Sequence, residues 1–268
     1  MINTRFEMDR AEQIFQSLGF FLTERGYHSL GSINHLMIFG SDYLELIGLP
    51  PGKENLRPQI AEAPLGLHGM VFKTTDVDEN HEILRALDFA ADPPKTFTRP
   101  VKLPEGEFPA RFRTVDVKTG VFPGGRVYFC EHGTPHLLWR PEWQKQTNGV
   151  TGIREIVVVS QAFEEEAENL AKILQSEVSG DSSGFCVALA GAKISLMPPL
   201  SYEERYRHLA SPLAGRTSVF AALVLQTDGL KAIRQVLAKR TIPIPVIDET
   251  DRVIIHEPIF NCLMEFIE

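Results

Sequence analysis

Four times along this chain, an apolar run gives way to a stretch in which apolar residues return every third or fourth place. Apolar runs rich in β-branched residues mark strands, and a period near 3.6 marks an amphipathic helix. The first copy is "MINTRFEMDRAEQIFQSLGF", residues 1–20, and the second is "MVFKTTDVDENHEILRALDF", residues 70–89. Laid over one another without a gap, they bring Met8 to Val77, Phe15 to Leu84, Leu18 to Leu87 and Phe20 to Phe89. In the first copy Met8, Ala11, Ile14, Phe15 and Leu18 form one helical stripe, and Gly19 supplies the stop. The third copy is "REIVVVSQAFEEEAENLAKIL", residues 154–174, with its stripe on Phe163, Ala167, Leu170, Ala171 and Leu174. The fourth is "VFAALVLQTDGLKAIRQVLAKR", residues 219–240, with Leu230, Ile233 and Leu237.

Short strand-like runs follow each helix. They are "HLMIFG" and "DYLELIG", then "ARFRTVDV", "RVYFCEH" and "PHLLWRP", then "FCVALAG" and "AKISLMP", then "IPVIDET", "RVIIHEP" and "NCLMEFIE". The pattern predicts an α+β protein of four units, each a strand, a helix and further strands. The polar, turn-forming segment at 141–152 splits the units two and two. Two similar domains are expected, at 1–145 and 150–268, each a curved sheet with two helices on its outer face. Segment 92–109 holds five prolines and shows no periodicity, so it is expected to be an irregular loop over the first domain's mouth. Residues 201–209 are expected to form a short helix between the third and fourth units.

Composition narrows the partners. The net charge is −8, and no basic tract stands out, which argues against nucleic acid and anionic membranes. No apolar run reaches membrane-spanning length, and the N-terminus lacks a signal-peptide core. Cys130, Cys186 and Cys262 are far apart, odd in number and set in apolar runs. They read as core residues of a reduced, cytoplasmic protein.

The candidate chemistry starts from two carboxylates. In "FGSDYLELIG" Glu45 shares a strand face with Tyr43 and Ile47, and in "NCLMEFIE" Glu265 shares one with Leu263 and Ile267. A carboxylate buried there must be paired, protonated or bound to a metal, unless it reaches water at the sheet margin. Arg126, Tyr128, Cys130 and His132 share one strand face, which makes His132 a candidate for a cup lining. Arg111 and Arg113 flank Phe112 and suit a carboxylate or phosphate. Trp139 is a further contact candidate, although tryptophans such as Trp139 and Trp143 more often serve packing.

The segment "LGFFLTERGYHSLGSINHLMIFGSDYLELIGL", residues 18–49, carries LGF, a Gly–His pair, a G-S-x-N step and the YLEL strand. With "PHLLWRPEW" and the following "NG", it resembles bacterial two-domain glyoxalase-like proteins of the vicinal oxygen chelate superfamily. That group includes glyoxalase I, extradiol dioxygenases and bleomycin-resistance proteins. The resemblance implies four βαβββ units paired into two glyoxalase/bleomycin-resistance-like domains. It implies a divalent metal (Mn, Ni, Zn or Fe) held by first-strand His and last-strand Glu residues. In this sequence that set reads Glu45, as ligand and base, with His68 and His136. The unit-one histidine would fall upstream of Met1. In the second domain only Glu265 keeps a ligand type, which implies a degenerate pocket. His28 and Asn34 follow the resembling segment as ligand contacts. The function implied is a metal-dependent lyase, isomerase or dioxygenase on a small oxygenated molecule. The alternative is a metal-free protein that binds or sequesters a small molecule. A homodimer is a partner expectation of the same resemblance.

Overall fold

A computed structural model describes all residues, 1–268. Unit one comprises β1 (Ile2–Arg5), α1 (Met8–Ser17), β2 (Gly26–Tyr27), β3 (Ile33–Ile38) and β4 (Tyr43–Gly48). A short helix, α2 (Pro58–Ala61), leads into unit two: β5 (Gly66–Leu67), β6 (Gly69–Thr74), α3 (Val77–Ala86), β7 (Lys95–Leu103), β8 (Gly106–Asp116) and β9 (Arg126–His132). Unit three is β10 (Val150–Ser160), α4 (Phe163–Leu174), β11 (Val178–Asp181), β12 (Gly184–Ala188) and β13 (Lys193–Met197). After α5 (Pro199–Tyr206), unit four is β14 (Ser218–Thr227), α6 (Leu230–Ala238), β15 (Val246–Asp248), β16 (Arg252–Glu257) and β17 (Cys262–Ile267). The fold is α+β with repeated βαβββ units.

Local chemistry starts and stops the helices where the pattern places them. Met8, Ala11 and Phe15 are buried on α1, Leu18 is buried at its C-cap, and Gly19 follows at φ +80°, a value that costs glycine nothing. Asp76 caps α3 by accepting from the backbone of Asp78 and Glu79, both at 3.0 Å. On α4, Ala167, Leu170 and Ala171 face the core.

Units three and four form one eight-stranded sheet, ordered β11-β12-β13-β10-β14-β17-β16-β15. Antiparallel β10 and β14 run down its middle, and each pairs in parallel with its own unit's last strand. Units one and two repeat this plan as two ladders, β2-β3-β4-β1-β5 and β6-β9-β8-β7. β5 and β6 lie end to end with only His68 between them, and the amide of His68 donates to the Met1 carbonyl at 3.2 Å. β1 has four residues where β10 has eleven. It reaches Leu46, Ile47 and Gly48 of β4 but not Tyr43–Glu45, and beside that free edge lies an apolar cavity of about 720 Å³.

Two strand expectations are corrected. Segment 92–109 is no irregular loop: Lys95–Leu103 and Gly106–Asp116 pair in register from Lys95↔Thr114 to Leu103↔Gly106. Its prolines are tolerated because β7 is an edge strand and Pro100 faces Pro109, beyond the end of β9. "PHLLWRP" is not a strand but two 3₁₀ turns, Pro135–Leu137 and Pro141–Trp143, and the last strand of unit two is β9. Proline at the first position of each turn supplies the fixed φ that such turns need.

One core of 42 buried residues joins the helical faces of both halves, including Phe15, Leu84, Leu170 and Ile233. Smaller, separate clusters lie on the opposite sheet faces of both halves, and a further four-residue cluster, Ile47, Leu49, Ile60 and Ala61, forms under α2 in the first half. The helices therefore pack toward the molecule's middle, and the two cups open away from it. No helix is long and apolar enough to cross a membrane.

Candidate functional site

The first cup is built by alternation. β3 and β4 pair so that Asn34 opposes Ile47, Leu36 opposes Glu45 and Ile38 opposes Tyr43. Directly opposed residues share a face, so Asn34, Glu45 and Tyr43 point the same way. Opposite them, β7 contributes Phe97 and Arg99, β8 contributes Phe112, Thr114 and Asp116, and β9 contributes Arg126, Tyr128 and Cys130. Together they enclose a cavity of about 340 Å³.

A hydrogen-bonded chain crosses its floor. Asn34 Nδ2 donates to Glu45 Oε1 at 2.7 Å, and Arg99 Nη1 donates to Asn34 Oδ1 at 3.4 Å. Glu45 is 7% exposed and has no cation within ion-pair distance. Burial pushes its carboxyl above the usual range, opposed by the Asn34 hydrogen bond and by the charges of the N-terminus, Arg99 and Arg126. Arg99 is 3% exposed, and its Nε has no partner. Gly26 makes this packing fit, since a Cβ there would lie 2.3 Å from Asn34 Oδ1 and 2.4 Å from Arg99 Nη1.

Two more arginines line the cavity. Arg126 Nη2 donates to Asp116 Oδ1 at 2.7 Å, and the guanidinium carbon Cζ sits 4.9 Å from the centroid of the Tyr128 ring. Arg57 donates to Ser32 Oγ at 3.5 Å and has no carboxylate partner. His28 is pushed down to about 3 by burial and then by Arg99 and Arg57, so it is neutral at pH 7. Its Nδ1 lies 3.0 Å from Ser32 Oγ, and its ring meets Phe97 edge-on at 5.5 Å. Burial raises the Cys130 thiol to about 12, which leaves it no thiolate at pH 7.

The residues expected from the sequence divide among several places. His28, Asn34 and Glu45 line the first cavity. His132 and Trp139 line the adjoining 720 Å³ cavity, stacked at 6.1 Å, with Lys73 over the indole at 4.9 Å. Arg113 forms a two-pronged ion pair with Asp78 at the surface, both bonds at 2.9 Å, and Arg111 is exposed. His136 is exposed on its 3₁₀ turn. His68 occupies the β5–β6 break and is lowered to about 4 by burial, with Arg216 and Arg126 adding to it. Arg99, Arg57 and Phe97 escaped the sequence reading. A signal existed for two of them, because Phe97, Arg99 and Val101 alternate through the proline-rich segment.

The second cup is filled from within. α5 carries Arg205 into it, where the guanidinium bonds Glu155 at 2.7 and 3.1 Å and Glu265 at 2.9 Å. Tyr206 donates to Glu265 at 2.9 Å, and Arg252 bonds it at 3.3 Å. Glu265 is thus answered by protein cations, whereas Glu45 is not.

The donor set of the first cup does not fit a divalent cation. No three His, Cys, Asp or Glu side chains stand close enough together to hold a metal, so Glu45, His68 and His136 form no such group. Glu45 Oε1 is already taken by Asn34, and three guanidiniums share the cavity wall. Positive side chains in that number oppose a dication rather than hold it.

Residues 2–174 match the family model described as a glyoxalase-like domain. The chain belongs to this glyoxalase-like family, within the vicinal oxygen chelate superfamily. Among solved structures, it is similar to a hypothetical protein from Staphylococcus aureus at TM-score 0.63 and 12% identity, over 92% of this chain and 90% of that one. A mutant 4-hydroxymandelate synthase from Streptomyces coelicolor aligns at TM-score 0.57 and 12% identity, over 99% and 90%. A fusion of a xylose isomerase-like TIM barrel with a 4-hydroxyphenylpyruvate dioxygenase aligns at TM-score 0.59 and 12% identity, over 99% of this chain and 47% of that one. At this identity the likeness is one of fold. No curated protein sequence matches the chain.

Proposed function

We propose that the first half of the chain, residues 1–145, binds a small organic molecule in its cup without a metal ion. The observation that carries this reading is the 340 Å³ cavity whose polar floor is the chain Glu45–Asn34–Arg99, with no metal-holding group beside it. A concave, aromatic-walled site with a few convergent polar groups is the usual form of a small-molecule pocket. The second cup offers no such space at its carboxylates, because α5 fills it. A second reading keeps the same pocket and adds proton transfer. Glu45 lines the cavity with a raised pKa, and Oε2 has no protein partner, which suits a general acid or base for a lyase or isomerase.

The test is a pair of thermal-shift series on the intact chain. In EDTA, small flat compounds are expected to raise the melting temperature saturably, and Thr114→Trp, which fills the cavity, is expected to abolish the rise. Added Mn²⁺, Ni²⁺, Zn²⁺ or Fe²⁺ is expected to produce no rise that depends on Glu45. A metal-induced rise that disappears in Glu45→Gln would overturn the metal-free reading.

A further inference from the structure

We infer that the first cup recognises its ligand by a single negative charge, and that the ligand is a small organic monocarboxylate with a flat apolar body. This rests on the reading of the cup as a binding site and names the class of molecule it takes.

The charge balance of the cavity carries the inference. An arginine has five N–H donors, and buried charges are normally answered by a counter-charge. Arg205 shows how this chain does so, with two carboxylates on one guanidinium. Arg99 is the exception. It is 3% exposed, makes one hydrogen bond, to the neutral Asn34 at 3.4 Å, and leaves Nε without a partner. Arg57 lines the same cavity and also lacks a carboxylate. Arg126 is answered by Asp116 at 2.7 Å, and Lys95 at the rim by Asp92 at 2.7 Å. Three guanidiniums therefore share the cavity with two carboxylates, Glu45 and Asp116. The lining guanidiniums and carboxylates leave an excess of one positive charge when Glu45 is ionised; the N-terminal ammonium, which donates to the Gly69 carbonyl, lies outside this cavity, beside the adjoining one.

A guanidinium's fork matches a carboxylate in two parallel hydrogen bonds, so a monocarboxylate both cancels the excess and engages the idle donors of Arg99. A phosphate dianion would instead bring surplus negative charge beside Glu45 and Asp116. The rest of the wall asks for a flat, apolar partner. Phe97 and Phe112 stack with centroids 5.2 Å apart and planes 20° from parallel, and the Tyr128 ring lines the same space. The negative end of the ligand would lie toward Arg99 and Arg57, and its flat body against these rings.

The test uses four probes of nearly equal size on the full chain in EDTA, read by titration calorimetry. They are benzoate, benzamide, benzylamine and phenyl phosphate. Benzoate is expected to bind at least about tenfold more tightly than the other three, which corresponds to about 1.4 kcal/mol. Arg99→Met is expected to weaken benzoate by at least about tenfold, to leave benzamide within about threefold, and to raise the melting temperature of the ligand-free protein, since it removes an unanswered buried charge. Equal binding of benzoate and benzamide, unmoved by Arg99→Met, would overturn the charge inference and leave the pocket reading intact. Tightest binding of phenyl phosphate would overturn the single-charge assignment. No binding by any of the four would overturn the inference and count against the pocket reading with it. If Arg99→Met does not fold, Arg57→Met, at a half-exposed position, is read against the same criteria.

Discussion

Glu45 sits mid-strand, 7% exposed, with one amide as its only protein partner. Burial raises its pKa in the folded state, so its linkage runs opposite to that of a salt-bridged acid. Below the unfolded value the carboxyl is protonated in both states and costs nothing. As pH rises through the window up to the raised folded value, the unfolded chain releases its proton first and stability is lost. Glu45→Gln is therefore expected to melt several degrees higher than wild type at pH 7–8, with the gain vanishing near pH 4. A gain that is the same at every pH, or a loss at pH 7, would contradict the assignment. The anomaly of Glu45 was legible in the sequence because period-two alternation puts it among apolar neighbours. Arg99, its partner through Asn34, was not. It sits in a segment whose five prolines mask its alternation, and only pairing with β8 turns that segment into a cup wall.

At the scale of elements, α5 decides the fate of the second cup. Its Arg205 joins Glu155 of β10 to Glu265 of β17. Burial alone would raise the Glu155 pKa, but the hydrogen bonds and charge of Arg205 outweigh it and hold it below the usual range. A lowered acid contributes stability that is present above its unfolded pKa and lost as pH falls through the folded one. Arg205→Met strips both carboxylates of their main cation and is expected to cost about 3–5 kcal/mol at pH 7. The cost should shrink in acid, where the two carboxylates can take up protons. Urea unfolding at pH 7 and pH 4 checks this, and a loss under about 1 kcal/mol at pH 7 would mean that water already serves the pair. The sequence marked residues 201–209 as helical and Glu265 as out of place. It held nothing to connect them, because they are some sixty positions apart and meet only when the sheet curls around α5.

Across the whole molecule, the two halves share their largest core. Leu170 lies fully buried in it, together with Phe15 of α1 and Leu84 of α3. Leu170→Asp, which buries a charge without a partner, is expected to cost more than about 3 kcal/mol and to lower the stability of both halves in one transition. Both tryptophans, Trp139 and Trp143, belong to the first half. Their fluorescence should therefore melt together with the far-ultraviolet dichroism of the whole chain. A tryptophan signal that stays at the wild-type midpoint would show that the halves fold independently. The sequence alone determined the four units, the helix stripes and the α+β class, since these follow from periodicity within a dozen neighbouring residues. It also marked the two strand carboxylates, because burial on a strand can be read from alternation. Only the tertiary structure decided which carboxylate is answered by arginine, which cup stays open, and that Arg57, Arg99 and Arg126 converge on one cavity. Charge balance in a pocket depends on distances between strands far apart in the chain, and no local pattern encodes those distances.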